Sequence, residues 1–289
     1  MNKILLAGAT GYLGSFILNQ LLEKGFETRV VVRNENKLPA SFIANNKPEI
    51  VKAEITNPAS IANCCKDIDV VISTVGITRQ KDGLTYMDVD YQANLNLLEA
   101  AKRNGVKKFI YVSILNGDKL THLKICQAKE RFVALLKSSG LDYCIVRPTG
   151  YFSDMTEFYH MAKKGRVMLF GQGENKMNPI HGSDLAAVCI NAIEASDTEI
   201  SPGGPQVLTY KQMAETAFSV MGKKVKITHI PNWVRKTILW LLRTFTNSRF
   251  YGPLEFFMTV LSMDLVAPKY GTLTLKVYFE ELNKESPHH

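Results

Sequence analysis

Three glycines near the N-terminus constrain the fold of this chain more than any other feature. Gly8, Gly11 and Gly14 lie between a short apolar run, Lys3–Ala7, and an amphipathic run, Leu13–Lys24. A glycine-rich turn between a strand and a helix brings the backbone and the helix N-terminus close to a bound pyrophosphate. The spacing is Gly-x-x-Gly-x-x-Gly and not the Gly-x-Gly-x-x-Gly of ordinary dinucleotide folds. Its place between strand and helix still predicts a dinucleotide site, with a plain tight turn as the alternative.

Short β-branched runs alternate with helical patterns through the first half of the chain. After Lys3–Ala7, the predicted strands are Thr28–Arg33, Ile50–Lys52, Val70–Ser73, Lys108–Val112 and Tyr143–Arg147. After Leu13–Lys24, the predicted helices are Pro58–Cys65, Tyr86–Asn104 and Leu123–Ser139. Because strands that alternate with helices connect through right-handed crossovers, we expect an α/β fold with a doubly wound parallel sheet of the Rossmann type.

The pattern changes after Pro148, where loops become longer and helices are mixed with them. The length of 289 residues allows about two average domains. We therefore predict a dinucleotide-binding domain over residues 1–150 and a smaller substrate-binding lobe over residues 151–289. We expect the lobe to close over the carboxyl edge of the sheet, where such folds bind their ligands.

Composition excludes several classes of protein. Hydrophobic residues make up 46% and charged residues 21% of the chain, which is ordinary for a globular protein. Its five cysteines form no Cys-x-x-Cys pair, so we expect no metal site and a reducing, cytoplasmic location. The first apolar run is too short for a signal peptide, and no run approaches the roughly 20 apolar residues that span a bilayer. A net charge of +8 favours anionic partners, but no nucleic-acid-binding motif accompanies it.

The residue that ends the second predicted strand bears on the choice of cofactor. An acidic residue there usually holds the ribose 2′-hydroxyl of NAD, whereas an arginine accommodates the 2′-phosphate of NADP. This chain has Arg33, with Lys37 nearby. We therefore predict NADP(H) as the cofactor, with a solvated surface arginine as the alternative.

Several longer motifs carry a family resemblance. In the first half they are Gly8-x-x-Gly11-x-x-Gly14, Glu54-Ile55, Thr74-Val75-Gly76, Tyr111-Val112-Ser113 and Arg147-Pro148-Thr149. With these motifs the sequence resembles the atypical, NmrA-like branch of the short-chain dehydrogenase/reductase superfamily. In the second half, Met168–Gly173, Pro179-Ile180, Ser183–Ala186, Gly203–Pro205 and Tyr270–Leu273 are similar to divinyl chlorophyllide 8-vinyl reductases. The cofactor-binding residues that the resemblance and the glycine motif imply are Gly8, Thr10, Gly11, Tyr12, Leu13, Gly14, Arg33, Glu54, Ile55, Thr74, Val75, Gly76, Lys129 and Pro148.

One departure from the superfamily pattern bears on the chemistry. Standard members carry Tyr-x-x-x-Lys in the helix after the fifth strand; the tyrosine donates a proton, and the lysine lowers its pKa and holds the nicotinamide ribose. Here the run is Ile125-Cys126-Gln127-Ala128-Lys129, so the lysine is kept and the tyrosine is replaced. The vinyl reductases and the isoflavone-reductase-like enzymes also lack this tyrosine. The resemblance assigns Lys129 to the ribose and leaves alcohol–ketone chemistry without its usual proton donor.

Three residues are candidates for a catalytic role. Lys129 is the first, with an ordinary lysine of an amphipathic helix as its alternative. Ser113 ends an apolar strand at the edge where ligands bind, or else it caps local backbone. Tyr151 follows the Arg-Pro motif, where it is either a replacement proton donor or a packed aromatic side chain.

A basic amphipathic segment, Trp233–Phe245, is the remaining feature. At about 100° per residue, one sector of a helix would carry Arg235, Lys236 and Arg243. Another sector would carry Val234, Ile238, Leu241, Leu242 and Phe245. Such a helix is suited to peripheral contact with an anionic membrane or to covering a large apolar substrate, although we favour a helix packed on the second lobe.

The resemblance implies an NADP(H)-dependent oxidoreductase that acts on a small molecule by reducing a carbon–carbon double bond, in particular a vinyl group on a tetrapyrrole-like substrate. A non-catalytic NADP(H)-binding sensor or assembly factor is the alternative, and the missing tyrosine favours it. A sugar epimerase is a third interpretation, weakened because those enzymes depend on that tyrosine.

Overall fold

The computed structural model describes residues 2–38, 47–78, 80 and 83–285. The chain divides into two compact units, one formed by Met1–Arg147 with Leu185–Ile200, the other by Pro148–Asp184 with Ser201–His289. The predicted second lobe included Leu185–Ile200, which this division assigns to the first unit. A boundary between independent domains at residue 150 stays a prediction.

The strands and helices of the described residues have the following bounds. The strands are β1 (Ile4–Ala7), β2 (Thr28–Val32), β3 (Glu49–Lys52), β4 (Val70–Ser73), β5 (Lys108–Val112), β6 (Asp142–Val146), β7 (Val167–Phe170), β8 (Lys176–Met177), β9 (Glu199–Ile200), β10 (Leu208–Thr209) and β11 (Ile227–Ile230). The helices are α1 (Tyr12–Glu23), α2 (Asn94–Arg103), α3 (Lys124–Lys137), α4 (Phe152–Lys163), α5 (Gly182–Asn191), α6 (Tyr210–Val220), α7 (Asn232–Phe245), α8 (Ser248–Val260) and α9 (Leu275–Glu285).

A seven-stranded sheet forms the centre of the first unit, in the order β3-β2-β1-β4-β5-β6-β9. Every neighbouring pair is parallel. The inner strands β1 and β4 are buried along their whole length, as expected of strands covered on both faces. The predicted doubly wound parallel sheet is therefore confirmed.

The order of the strands reverses beside β1. The chain places β2 and β3 on one side of β1 and β4 to β6 on the other. Ala7 of β1 is paired with Ser73 of β4, so Gly8 and Thr74 leave the sheet side by side at its carboxyl edge. Open α/β sheets bind their ligands at such a reversal.

Two predicted helices of the first unit differ from the prediction. The predicted helix Tyr86–Asn104 consists of two parts, a π-helical turn over Met87–Ala93 and the α-helix α2 that follows it. The predicted helix Pro58–Cys65 was wrong, because only a 3₁₀ turn over Pro58–Ile61 forms there. Serine, asparagine and cysteine all have low helix propensity, and the side chain of Asn57 accepts a hydrogen bond from Ala59 N–H in the turn.

Aromatic packing holds α3 against the sheet. The ring of Phe132 lies 4.6 Å from that of Tyr111 and 5.9 Å from that of Phe109, measured between centroids. All three side chains are fully buried. Because Tyr111 and Phe109 belong to β5, this packing fixes the rotation of α3 and therefore the direction in which its other buried residues point.

The second unit is built mainly from helices. Its strands form two small sheets, β7 with β11 in parallel and β8 with β10 in antiparallel. Helix α4 packs on α6 through Phe158 and Tyr210, whose rings stack 6.2 Å apart, and on α9 through Tyr159 and Phe279. Across the described residues, none of the helices has the length and apolar character needed to cross a bilayer.

Candidate functional site

The glycine-rich turn between β1 and α1 has a backbone that only glycine accommodates. Gly8 has a φ of +92°, and a side chain there would collide with the Thr74 hydroxyl. A side chain at Gly14 would collide with the carbonyl oxygen of Gly8. Gly11 N–H donates to that same carbonyl at 2.9 Å, which closes the turn. The space that these missing side chains leave lies directly before the N-terminus of α1, where backbone N–H groups and the helix dipole favour an anion.

Thr74 joins the ends of the two central strands. Its backbone N–H donates to the carbonyl of Ala7 at 3.0 Å, and its hydroxyl lies 3.2 Å from the same oxygen. The loop after β4 is thus tied to the loop after β1. The motif Thr74-Val75-Gly76 forms one wall of the same edge, beside the glycine-rich turn.

A buried asparagine supports that wall from below. The Asn94 amide nitrogen donates to the carbonyl of Val75 at 3.1 Å and to the carbonyls of Val89 and Asp90. Its amide oxygen accepts from the Ser73 hydroxyl at 2.6 Å. These bonds tie the π-helical turn to the loop after β4. π-helical turns occur frequently at functional sites.

The π-helical turn directs Asp90 towards Lys129. Lys129 Nζ lies 3.0 Å from Asp90 Oδ1, and Asp90 is completely buried. The second carboxylate oxygen accepts from the backbone N–H of Ile77 at 3.2 Å. A Cβ atom at Gly76 would collide with the carboxylate and would lie only 3.0 Å from the ammonium nitrogen. The pair therefore lies directly beneath the loop after β4.

Burial governs the protonation of this pair. Removal from water raises the pKa of Asp90 above its ordinary value, although the neighbouring Lys129 charge acts to lower it. Only 8% of Lys129 is exposed, because it lies on the buried side of α3 together with Ile125 and Phe132. That burial argues against the alternative of an ordinary surface lysine.

Tyr111 is the aromatic neighbour of Lys129. The ammonium nitrogen lies 3.4 Å from the Tyr111 hydroxyl and 5.3 Å from the centre of its ring. Tyr111 is fully buried, and burial raises its pKa to about 12. Ile125, which stands where the superfamily has its tyrosine, is 3% exposed. The structure therefore brings a different tyrosine to the lysine, but one enclosed within the core.

Ser113 belongs to a separate buried network. Its hydroxyl donates to Glu130 Oε1 at 3.2 Å and accepts from Arg147 Nη1 at 3.4 Å. Glu130 and Arg147 form a two-point ion pair whose Nη2–Oε2 distance is 2.9 Å. Arg147 Nε also donates to Glu199 at 2.9 Å. The Ser113 hydroxyl is therefore engaged by charged partners, and a catalytic role for it stays a prediction.

Arg33 lies at the opposite side of the glycine-rich turn, at the end of β2. Its side chain is 60% exposed, and its Nε lies 3.9 Å from a carboxylate oxygen of Glu54. Such a long, solvent-exposed pair contributes little to stability. Ile55, next to Glu54, is half-buried against the core, and its carbonyl accepts from the Asn96 side chain at 3.0 Å. Lys37 is exposed on a short 3₁₀ turn.

Tyr151 and Pro148 belong to the second unit, while the other candidates belong to the first. Tyr151 is half-buried, precedes α4 and forms an isolated bridge with Ile180. Its backbone N–H donates to Asp154 Oδ2 at 3.1 Å. Pro148 is buried directly after Arg147. Among the residues described, no cluster of three His, Cys, Asp or Glu side chains is placed to hold a metal ion.

We did not predict from the sequence that Asp90 and Asn94 belong to the candidate site. The available signal was the spacing of Asp90, Ala93 and Leu97, which places an acidic residue on the apolar side of a helical pattern. A buried acid requires a partner, and a partner distant in sequence is invisible to a local pattern. The residues of the carboxyl edge together fit a dinucleotide: a cradle without side chains for the pyrophosphate, Arg33 at one side and the fixed Lys129 ammonium at the other.

Comparisons with known proteins agree with this geometry. The sequence model of a family described as NAD(P)H-binding matches residues 8–196. The chloroplastic divinyl chlorophyllide a 8-vinyl-reductase of Arabidopsis thaliana is 26% identical, over 98% of this chain and 77% of that protein. A photosystem II assembly factor of Trieres chinensis is 25% identical, over 82% of this chain and 74% of that protein.

The fold has close solved counterparts. An NADPH-dependent quinone oxidoreductase of Escherichia coli, solved with NADPH, superposes with a TM-score of 0.75 at 20% identity. The superposition covers 97% of this chain and 99% of that one. At this identity the likeness establishes the fold alone.

Proposed function

The chain belongs to the NAD(P)H-binding family, and on that premise we propose that it is an NADP(H)-dependent oxidoreductase. The observation that carries the proposal is the Asp90–Lys129 pair beneath the loop that follows β4. A buried ammonium group held by a carboxylate at the binding edge of the sheet is a fixed hydrogen-bond donor for a ligand. The dinucleotide itself would supply the hydride; the protein's part is to bind, orient and protect it.

The nucleotide end is assigned to the glycine-rich turn. The pyrophosphate would lie against Gly8, Gly11 and the start of α1, where fixed N–H groups stabilise negative charge. Arg33 would take the 2′-phosphate of NADPH. Its pairing with Glu54 at 3.9 Å is loose enough that a phosphate, which accepts stronger charge-assisted hydrogen bonds, would displace it.

The nicotinamide end is assigned to Lys129. Asp90 fixes the ammonium group from the buried side at 3.0 Å, and the ribose hydroxyls would take the place of its longer contacts with the Tyr111 hydroxyl and the Val112 carbonyl, at 3.4 and 3.5 Å. Because the side chain is already ordered by Asp90 and Tyr111, binding would cost little conformational entropy. Lys129 is thus proposed as a cofactor-binding residue first and as a proton donor second.

The reaction we propose is reduction of a carbon–carbon double bond, with a vinyl group on a tetrapyrrole-like molecule as the substrate. Support comes from Ile125, since reduction of a ketone requires a strong proton donor at the position that it occupies. Support also comes from the similarity to a protein named as a vinyl reductase, over nearly the whole chain. Tyr151 and Ser113 remain the proposed additional catalytic residues.

A non-catalytic NADP(H)-binding protein is the second candidate. It is favoured by the environment of Tyr111, the tyrosine beside Lys129, because a fully buried hydroxyl with a pKa of about 12 is a poor proton donor to a substrate. One relative of similar identity is named as an assembly factor and not as an enzyme.

Turnover separates the two candidates. We would follow loss of NADPH absorbance with divinyl chlorophyllide as the acceptor, in the wild type, Lys129→Met and the control Lys124→Met. Lys124 lies on the same helix and is exposed. The reductase predicts turnover whose efficiency Lys129→Met lowers about tenfold or more and Lys124→Met preserves. NADPH binding without turnover would instead support the non-catalytic candidate, and absence of NADPH binding would contradict both.

A further inference from the structure

Polar contacts join helices α7 and α8. Arg243 Nε donates to Glu255 Oε1 at 2.7 Å, and Glu255 is only 4% exposed. Arg235 reaches the carbonyl of Met258 at 3.4 Å. The arginines of the basic sector therefore serve the contact between the two helices, together with the buried Leu239.

Several large apolar side chains of both helices face water. Trp233 is 68% exposed, Trp240 62%, Phe245 75% and Phe250 61%. Trp233 and Trp240 are seven residues apart and thus lie on one side of α7. We call the exposed apolar side chains of the two helices the aromatic face; its members are Trp233, Trp240, Leu241, Phe245, Phe250, Leu254 and Phe257. Soluble proteins rarely leave large apolar groups exposed together without a partner.

The segment of chain that contains the aromatic face is rich in basic residues. Residues 216–263 contain seven Lys and Arg and one Glu, a net charge of +6 within a chain whose total is +8. The single acid is Glu255, which is buried against Arg243. Lys236 and Arg249 are exposed on the two helices themselves. A partner for this surface must be apolar and negatively charged.

We propose that the aromatic face docks on the surface of an anionic lipid bilayer, with the helices lying in the plane of the membrane. Tryptophan prefers the interface between headgroups and acyl chains, where its ring is covered and its N–H stays hydrated. Exposed Lys and Arg side chains would reach the lipid phosphates. A second copy of this chain is a poor occupant, because it would bring two surfaces of the same positive sign together.

The two tryptophans of the chain both lie on the aromatic face, so tryptophan emission reports on it alone. The full chain would be mixed with vesicles of phosphatidylcholine containing about one third phosphatidylglycerol, and with vesicles of phosphatidylcholine alone, for sedimentation and emission spectra. We expect binding and a blue shift with the anionic vesicles only, weakened by added salt.

Variants test each part of the face. Phe245→Ser and Phe250→Ser together should weaken vesicle binding at least about tenfold, because each removes a ring that the membrane would cover. The control Met168→Ser removes an exposed apolar side chain on β7 and should leave binding unchanged. Lys236→Glu should weaken binding about tenfold or more, whereas Lys24→Glu, at the end of α1, should not.

Three results would overturn the proposal. The first is absence of both sedimentation and blue shift with anionic vesicles. The second is equal binding to neutral vesicles, which would remove the role of charge. The third is a blue shift without vesicles that follows protein concentration, together with a dimer in sedimentation velocity, which would assign the face to a second copy.

Discussion

Two adjacent residues of α3 each form a buried ion pair, and the surroundings of the pairs differ. Glu130 meets Arg147 through two contacts, and Arg147 is also held by Glu199 and the Ile114 carbonyl. Lys129 meets Asp90 at 3.0 Å, while its distances to the Tyr111 hydroxyl and the Val112 carbonyl are 3.4 and 3.5 Å. The first pair has the contacts of a structural ion pair, because protein groups surround it. The second holds a cation close to the loop that lines the binding edge.

The largest expected effect is on stability, from removing the buried acid. Asp90→Ala leaves the Lys129 charge without its buried partner, which should lower the free energy of unfolding by about 3–5 kcal/mol. Asp90→Asn keeps the shape and an acceptor for Ile77 N–H, so its loss should be smaller. Urea unfolding of the three proteins measures the difference. Equal stability of wild type and Asp90→Ala would show that the ion pair does not contribute to the free energy of unfolding.

Mutation of the Glu130–Arg147 pair should have a different effect. Arg147→Met leaves Glu130 without its cation and should lower the free energy of unfolding by about 2 kcal/mol, less than Asp90→Ala because Glu130 retains 13% exposure. The affinity for NADPH should stay within about twofold in calorimetry, since Arg147 is engaged by protein groups. A large loss of affinity in a folded variant would erase the distinction between the two pairs.

The pH dependence of stability sharpens the comparison. The pKa of Asp90 is raised in the folded state from an ordinary 3.8, so its contribution is present at low pH and is lost as pH rises towards the folded-state pKa. Lys129→Met removes the charge that opposes this rise, so the loss should extend to higher pH, with a slope of at most about 1.4 kcal/mol per pH unit. The double variant with Asp90→Asn should lack this slope. Parallel pH profiles of the single and double variants would contradict the assignment.

Arg33 gives the smallest expected effect because its pair is exposed. Arg33→Ala should leave stability unchanged within about 0.5 kcal/mol. It should weaken NADPH binding by about 1–2 kcal/mol and leave NADH binding as it was, since only NADPH carries the 2′-phosphate. Calorimetric titration with both cofactors measures the two affinities. Equal losses for NADPH and NADH would remove the argument for NADP(H).

Much of the first unit was predictable because its signals are local. The glycine motif and the β-branched runs specify the turn after β1 and the inner strands by themselves. The Asp90–Lys129 pair was not predictable, because its members lie 39 positions apart and meet only through a π-helical turn. The role of Ser113 was also hidden, since its partners Glu130 and Arg147 come from other elements.

The helix α7 shows a second limit of local patterns. The sequence determines which residues form its basic and apolar sectors, but the side that faces water depends on the side chains that α8 presents to it. The buried Glu255 pairs with Arg243, and of the apolar sector Leu241 and Phe245 are exposed to water while Val234, Ile238 and Leu242 are half-buried. A periodicity argument alone would place that sector inside.

Calorimetric titration of NADPH into the wild type, Lys129→Met and Glu130→Gln tests the central claim most directly. The account predicts that the wild type binds, that Lys129→Met weakens binding about tenfold or more by removing a charged hydrogen-bond donor, and that Glu130→Gln stays within about twofold. Circular dichroism would establish that both variants are folded. Equal affinities for Lys129→Met and the wild type, or a larger loss in Glu130→Gln, would contradict the assignment of Lys129 to the cofactor.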